Sequence, residues 1–251
     1  MGRHYSKQSM AIKEKSQTIL AAVRRDIRAL GSPERAKHSL RFFRTGPGEY
    51  GEGDKFLGLT VPEMRAIAKR YRDLGHEDVL KLLQSEWHED RVVALLLLVE
   101  GYHRGDDSRR QKIHGDYLAN TRRINNWDLV DMSAGQLVGR HLDATEISLL
   151  EKLARSKDLW ERRIAIVSTF HFIKQRELAP TLRIAEMLLE DSHDLIHKAV
   201  GWMLREVGKK DRKALDAFLA KHYREMPRTM LRYAIERHPE STRKRYLAGT
   251  I

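Results

Sequence analysis

Apolar residues recur at three- and four-residue intervals along almost the whole chain, and runs that alternate apolar with polar are scarce. That period marks helices with one buried face, so the sequence predicts an all-α protein. Helices are expected over 12–30, 33–44, 61–73, 77–84, 89–103, 107–118, 127–140, 144–154, 159–172, 180–189, 194–207, 213–223 and 228–237. Local signals support several starts: Thr60-Val61-Pro62-Glu63 combines a capping box with a proline in the first turn. Positions 92–99 are apolar on every side, between Arg91 and Glu100. This run is far short of the roughly 20 residues that span a bilayer, and it reads as a buried helix. Between Gly46 and Asp54, glycine, proline and acidic residues break the pattern. This stretch joins two helical segments and is not a domain boundary.

Short, regular helices suggest repeats, and one pattern recurs. A charged residue followed three positions later by a small one appears in Arg91-Val92-Val93-Ala94, Asp131-Met132-Ser133-Ala134, Arg162-Arg163-Ile164-Ala165 and Lys198-Ala199-Val200-Gly201. The small residues lie 40, 31 and 36 positions apart, close to the period of about 40 residues in HEAT arrays. Small side chains there let neighbouring helices approach, and stacked pairs would curve into a solenoid with a concave face. The expected architecture is a single HEAT-like repeat domain over 1–251. Asp131 stands where the other three copies carry a base.

Composition narrows the chemistry. Without cysteine there are no disulfides, thiolate nucleophiles, zinc ribbons or iron–sulfur clusters, which suits a reducing cytoplasm. The first residues, Met1 to Ser6, lack the apolar run of a secretory signal, and export is not expected. Lysine and arginine total 47 against 35 acidic residues, a net charge of +12. Such an excess favours a polyanionic partner but also fits an ordinary basic surface.

Trp127 and Asp131 are four apart, so a helix places both on one face, where an aromatic plane and a carboxylate would meet the same ligand. The same pair is what a core tryptophan beside an arginine-paired acid would give. Asp128, in the first turn after Asn125-Asn126, reads as a structural charge at a helix N-terminus. Arg162 and Arg163 point roughly 100° apart on a helix, so one could face a groove while the other covers a neighbour. Trp202 alone fits a core position. Gly46-Pro47-Gly48-Glu49-Tyr50-Gly51 matches a nucleotide-binding glycine pattern, but no strand precedes it, and Glu49, Glu52 and Asp54 would repel phosphate. His193 and His197 have metal-compatible spacing without a third ligand, and neither metal nor cofactor is expected.

In order and spacing, several blocks together resemble the AlkD-type DNA alkylation repair glycosylases. They are Arg41-Phe42-Phe43-Arg44, the glycine-rich connection through Asp54, Phe56-Leu57-Gly58-Leu59-Thr60-Val61-Pro62, Asn126-Trp127-Asp128-Leu129-Val130-Asp131, Leu159-Trp160-Glu161-Arg162-Arg163-Ile164-Ala165 and Lys198-Ala199-Val200-Gly201-Trp202. The resemblance spans about Ser39 to Arg237. It implies a HEAT-like fold with a basic concave face that holds duplex DNA, and hydrolytic release of N3- and N7-alkylated purines by a monomeric enzyme of the bacterial cytosol. The family's catalytic positions fall on Trp127, Asp131, Arg163 and Trp202. The family often has an aromatic directly before this tryptophan, where Asn126 stands.

An alkylated purine is already cationic and departs as a neutral base, so one carboxylate can do what two do in ordinary glycosidases. Asp131 would stabilise the cationic sugar and orient water, Trp127 and Trp202 would present their π faces, and Arg163 would clamp a phosphate. Arg122, Arg123, Arg162, Lys209, Lys210 and Arg212 would add backbone attraction. A non-catalytic HEAT scaffold that binds nucleic acid or protein is the competing reading.

Overall fold

The computed structural model describes residues 18–251, and among them there are helices and no strand, apart from a lone bridge between Lys55 and Trp87. None of the described helices is long and apolar enough to cross a membrane. Positions 12–17 of the first expected helix, and Met1 to Ser6, lie outside the described residues. The chain forms two compact units, one running through Leu129 and one from Val130 to Ile251.

The first unit contains a helix over 18–29 (α1), Pro33–Phe42 (α2), Val61–Arg70 (α3), His76–Leu83 (α4), His88–Arg104 (α5) and Asp107–Ala119 (α6). A helix apolar on all sides must be surrounded, and α5 has α3, α4 and α6 packed on it. Val92, Val93, Ala94, Leu95, Leu97 and Leu98 are buried as expected. The α3 start has the predicted capping box: the Thr60 side chain accepts from the Glu63 backbone, and Glu63 reaches back to Thr60. Ahead of it, the buried Glu89 carboxylate receives the backbone N–H groups of Leu57, Gly58 and Leu59. Gly58 has φ +83°, and a Cβ there would stand 2.4 Å from the Ser32 carbonyl oxygen. Only glycine lets the connection run so close to α2.

The chain enters the second unit within α7 (Trp127–Leu137) and continues through α8 (Ser148–Ala154), α9 (Leu159–Ser168), α10 (Phe170–Lys174) and α11 (Ala179–Met187). It ends with α12 (Asp194–Lys210), α13 (Arg212–His222), α14 (Arg228–Ala234) and α15 (Glu240–Ala248). Here α12 is the centre, packed by α9, α11, α13 and α14. Its Gly201 meets α14 so closely that a Cβ would lie 2.5 Å from the Met230 carbonyl oxygen. The other small residues of the recurring pattern, Ala94, Ala134 and Ala165, are all 0% exposed. Enlarging Ala165 to Leu should cost about 1–3 kcal/mol by overpacking. Urea unfolding measures this, and an unchanged midpoint would show slack around α9.

Several expected helices end early, and two of these breaks have a visible cause. α7 gives way to a 3-10 turn at Gly139–His141, where a Cβ on Gly139 would fall 2.0 Å from the Ser168 carbonyl oxygen. The helix expected over 159–172 breaks at Thr169, whose hydroxyl donates to the Ile166 carbonyl at 2.7 Å. Such back-bonding loosens a helix locally. The break starts α10 at Phe170, which lies in the site described next.

Candidate active site

Trp127 opens α7, and its backbone N–H donates to the Asn126 side-chain oxygen at 2.8 Å. The Asn126 amide in turn donates to Asp54 at 3.2 Å, and Asn126 is fully buried. The position directly before Trp127 is thus filled by a polar tie. The aromatic partners of Trp127 come from elsewhere in the chain. Phe43 stacks on its ring with centroids 5.4 Å apart, and Phe42 meets its edge at 5.8 Å. Phe42 remains 57% exposed, an unusual state for a large apolar side chain beside another aromatic.

Beneath this cluster lies a buried charged group. His88 stacks against Phe56 at 4.6 Å and leans on Phe43 at 5.0 Å. Its Nε2 bonds Asp128 at 2.8 Å, and its Nδ1 lies 3.5 Å from Asp54. Asp54 also accepts from Arg91 at 2.7 Å. Burial alone would lower the His88 pKa, but the Asp128 charge and the bonds to Asp128 and Asp54 outweigh it and raise it from 6.5 to about 9. For Asp54, burial acts upward and is overcome by His88 and Arg91, so the net shift is downward. Asp128, in the first turn of α7, pairs with a partner forty residues away in sequence.

The raised His88 pKa has a defined sign. Its contribution to stability is complete below about pH 6.5 and is lost as pH rises through about 9. The stability difference between the natural protein and His88→Gln should therefore be larger at pH 7 than at pH 10. Urea unfolding at both values is the check, and a difference independent of pH would mean that His88 is neutral in the fold.

In the second unit Asp131 and Arg163 form a two-pronged pair. Arg163 donates from Nε to one carboxylate oxygen at 2.9 Å and from Nη2 to the other at 2.8 Å, while Nη1 donates to the Leu195 carbonyl at 2.5 Å. The guanidinium is buried, and Asp131 keeps about a fifth of its side chain exposed. One arginine of the adjacent pair thus meets the acid, and the other, Arg162, bonds Asp191 at 2.6 Å. Asp131 lines a cavity of about 100 Å³ with Met132, Gln136, Phe170, His171 and Lys174. Burial, aided by Arg140 and Lys174, lowers the His171 pKa. The Phe170 ring carries the Lys174 ammonium 4.4 Å above its face and lies 5.8 Å from Trp202. Phe170 therefore links Trp202 to the cavity that Asp131 lines.

The cations expected along DNA are placed variously. Arg122 and Lys210 are exposed. Arg123 bonds Gln84 at 3.0 Å, Lys209 pairs with Glu206 at 2.6 Å, and Arg212 donates to the Arg237 carbonyl at 2.9 Å. In the glycine-rich connection, the Gly46 and Gly48 N–H groups donate to Glu49 and Glu52. Carboxylates occupy the amides that a phosphate would need. His193 accepts from the Leu195 backbone and His197 bonds the Asp191 carbonyl. Among the described residues no group of three His, Cys, Asp or Glu side chains is placed to hold a metal ion.

The family model for DNA alkylation repair enzymes matches residues 23–238. The chain belongs to the DNA alkylation repair enzyme family. It also shares its fold with a chain described as a predicted DNA alkylation repair enzyme from Enterococcus faecalis, with a TM-score of 0.66 and 18% identity over 84% of this chain and 97% of that one. A comparison with curated proteins returns no match. The sequence flagged Asp131, Trp127, Arg163 and Trp202, and missed Phe42, Phe43, His88 and Phe170.

Proposed function

We propose that the protein is a DNA glycosylase that hydrolyses the N-glycosidic bond of N3- and N7-alkylated purines in duplex DNA, including 3-methyladenine and 7-methylguanine. The observation that carries this reading is the Asp131 carboxylate, oriented by two Arg163 bonds yet still partly open beside an aromatic-lined cavity. In the reaction the C1′–N bond breaks with its electron pair passing to the cationic purine, which leaves neutral. Water forms the new C1′–O bond and loses a proton. Asp131 stabilises the cationic sugar and orients that water.

Trp127, one turn before Asp131 on α7, and Trp202 offer π faces to the cationic nucleoside, each contact worth about 0.5–2 kcal/mol. Arg163 is assigned to orient Asp131, since each of its three nitrogens donates a hydrogen bond within the protein, two of them to that carboxylate. Phosphate contacts fall to Arg122 and Arg123 in the first unit and to Lys210 in the second, with a monomeric HEAT-like protein as the scaffold. Release of methylated bases from methylated duplex DNA is the deciding experiment. Binding to that DNA without release would transfer the assignment to a non-catalytic scaffold.

A further inference from the structure

We propose that His88 is a positioning residue for Trp127, holding the tryptophan ring through the aromatic stack on one side and the Asp54–Asn126 tie on the other. The inference rests on reading Trp127 as a ring that faces the substrate. Two routes run from the imidazole to the indole. The first is aromatic: His88 against Phe43, and Phe43 stacked on Trp127. The second is polar: His88 beside Asp54, Asp54 to the Asn126 amide, and the Asn126 oxygen to the Trp127 backbone N–H. Asp128, next to Trp127 in sequence, closes the loop by bonding His88 directly.

The charges make this more than packing. Asp54, His88 and Arg91 are each less than a tenth exposed, and removing such groups from water is costly. Apolar side chains of similar volume would stabilise a core at least as well, so the gain lies in fixed geometry. The groups facing His88 are Asp54 from the connection and Asp128 from α7, with Arg91 from its own helix reaching Asp54. The remaining acids of that helix turn are committed elsewhere: Glu89 to backbone amides and Asp90 to Arg28 and Ser85. With His88 protonated, two positive and two negative groups balance. Deprotonation leaves an excess buried negative charge next to the turn that holds Trp127.

The test uses the full chain with 5-fluorotryptophan at its four tryptophans, the Trp127 resonance being assigned from Trp127→Phe. The natural protein should give a Trp127 signal that moves with pH near 9, in step with the His88 ring. In His88→Gln that transition should vanish and the Trp127 signal should shift or broaden, while Trp160 and Trp202 stay in place. Single-turnover base release should fall about tenfold to a hundredfold, as expected when a contact group is misplaced, with affinity for undamaged duplex unchanged. An unaltered Trp127 signal and rate would overturn the proposal, and so would equal shifts at all four tryptophans. Asp128→Asn, which removes the facing charge and keeps the imidazole, should move the same transition to lower pH and serves if His88→Gln does not fold. Should the natural protein release no base, the glycosylase reading fails, and the fluorine signals still decide whether His88 positions Trp127.

Discussion

Asp131→Asn should lower single-turnover release of 7-methylguanine and 3-methyladenine by on the order of a hundredfold or more, while affinity for undamaged duplex is kept. Asn has nearly the shape of Asp and no charge, so what is lost is stabilisation of a cationic transition state. The Arg163 pairing adds a second consequence. An amide can accept only one of the two guanidinium bonds, and its own N–H groups then face a donor. The variant should be destabilised as well, so rates must be compared far below its unfolding transition. Arg163→Gln separates the roles further. If Arg163 orients Asp131, the rate falls and affinity does not; if it clamps a phosphate, both fall together. Full activity in Asp131→Asn would remove the carboxylate from catalysis.

The parts of this site that the sequence discloses are those carried by a single helix. Four-residue spacing put Trp127 and Asp131 on α7, and the capping box at Thr60 followed from residues three apart. The apolar run of α5 announced a buried helix because no polar face was left to expose. What stayed hidden depends on chain segments that meet only in the fold. Phe42 and Phe43 end α2 more than eighty positions before Trp127, and no periodicity links them. Nothing in Arg162-Arg163 tells which arginine meets an acid, since adjacent helical residues differ only in direction. α15 was missed for another reason: its nine residues have no apolar stripe, and Tyr246 is the one it buries. The Pro239-Glu240 start was the available signal.

Expected stability losses follow the same division between local and long-range contacts, and Glu89→Gln should show the larger kind. The Glu89 carboxylate is 2% exposed and accepts from Leu57 at 2.9 Å, Gly58 at 2.7 Å and Leu59 at 3.3 Å. A glutamine keeps one acceptor oxygen and turns an N–H group toward the remaining backbone donors, leaving at least one of them buried without a partner. The cost should be about 3 kcal/mol, a fall of roughly 6–12 °C in Tm for a chain of this size. Glu63→Gln is the matched control. Its carboxylate also receives a backbone N–H, that of Thr60 at 2.6 Å, but in an exposed capping box. Water replaces what is lost there, and the change should stay within about 1 kcal/mol. Because the Glu89 anchor holds the connection that bears Asp54 and Phe56, its loss should also slacken the packing on His88. Near-ultraviolet circular dichroism would then weaken before the far-ultraviolet helix signal in a urea titration. Equal midpoints for Glu89→Gln and Glu63→Gln would mean that the three amides find other acceptors, and that the connection does not depend on Glu89.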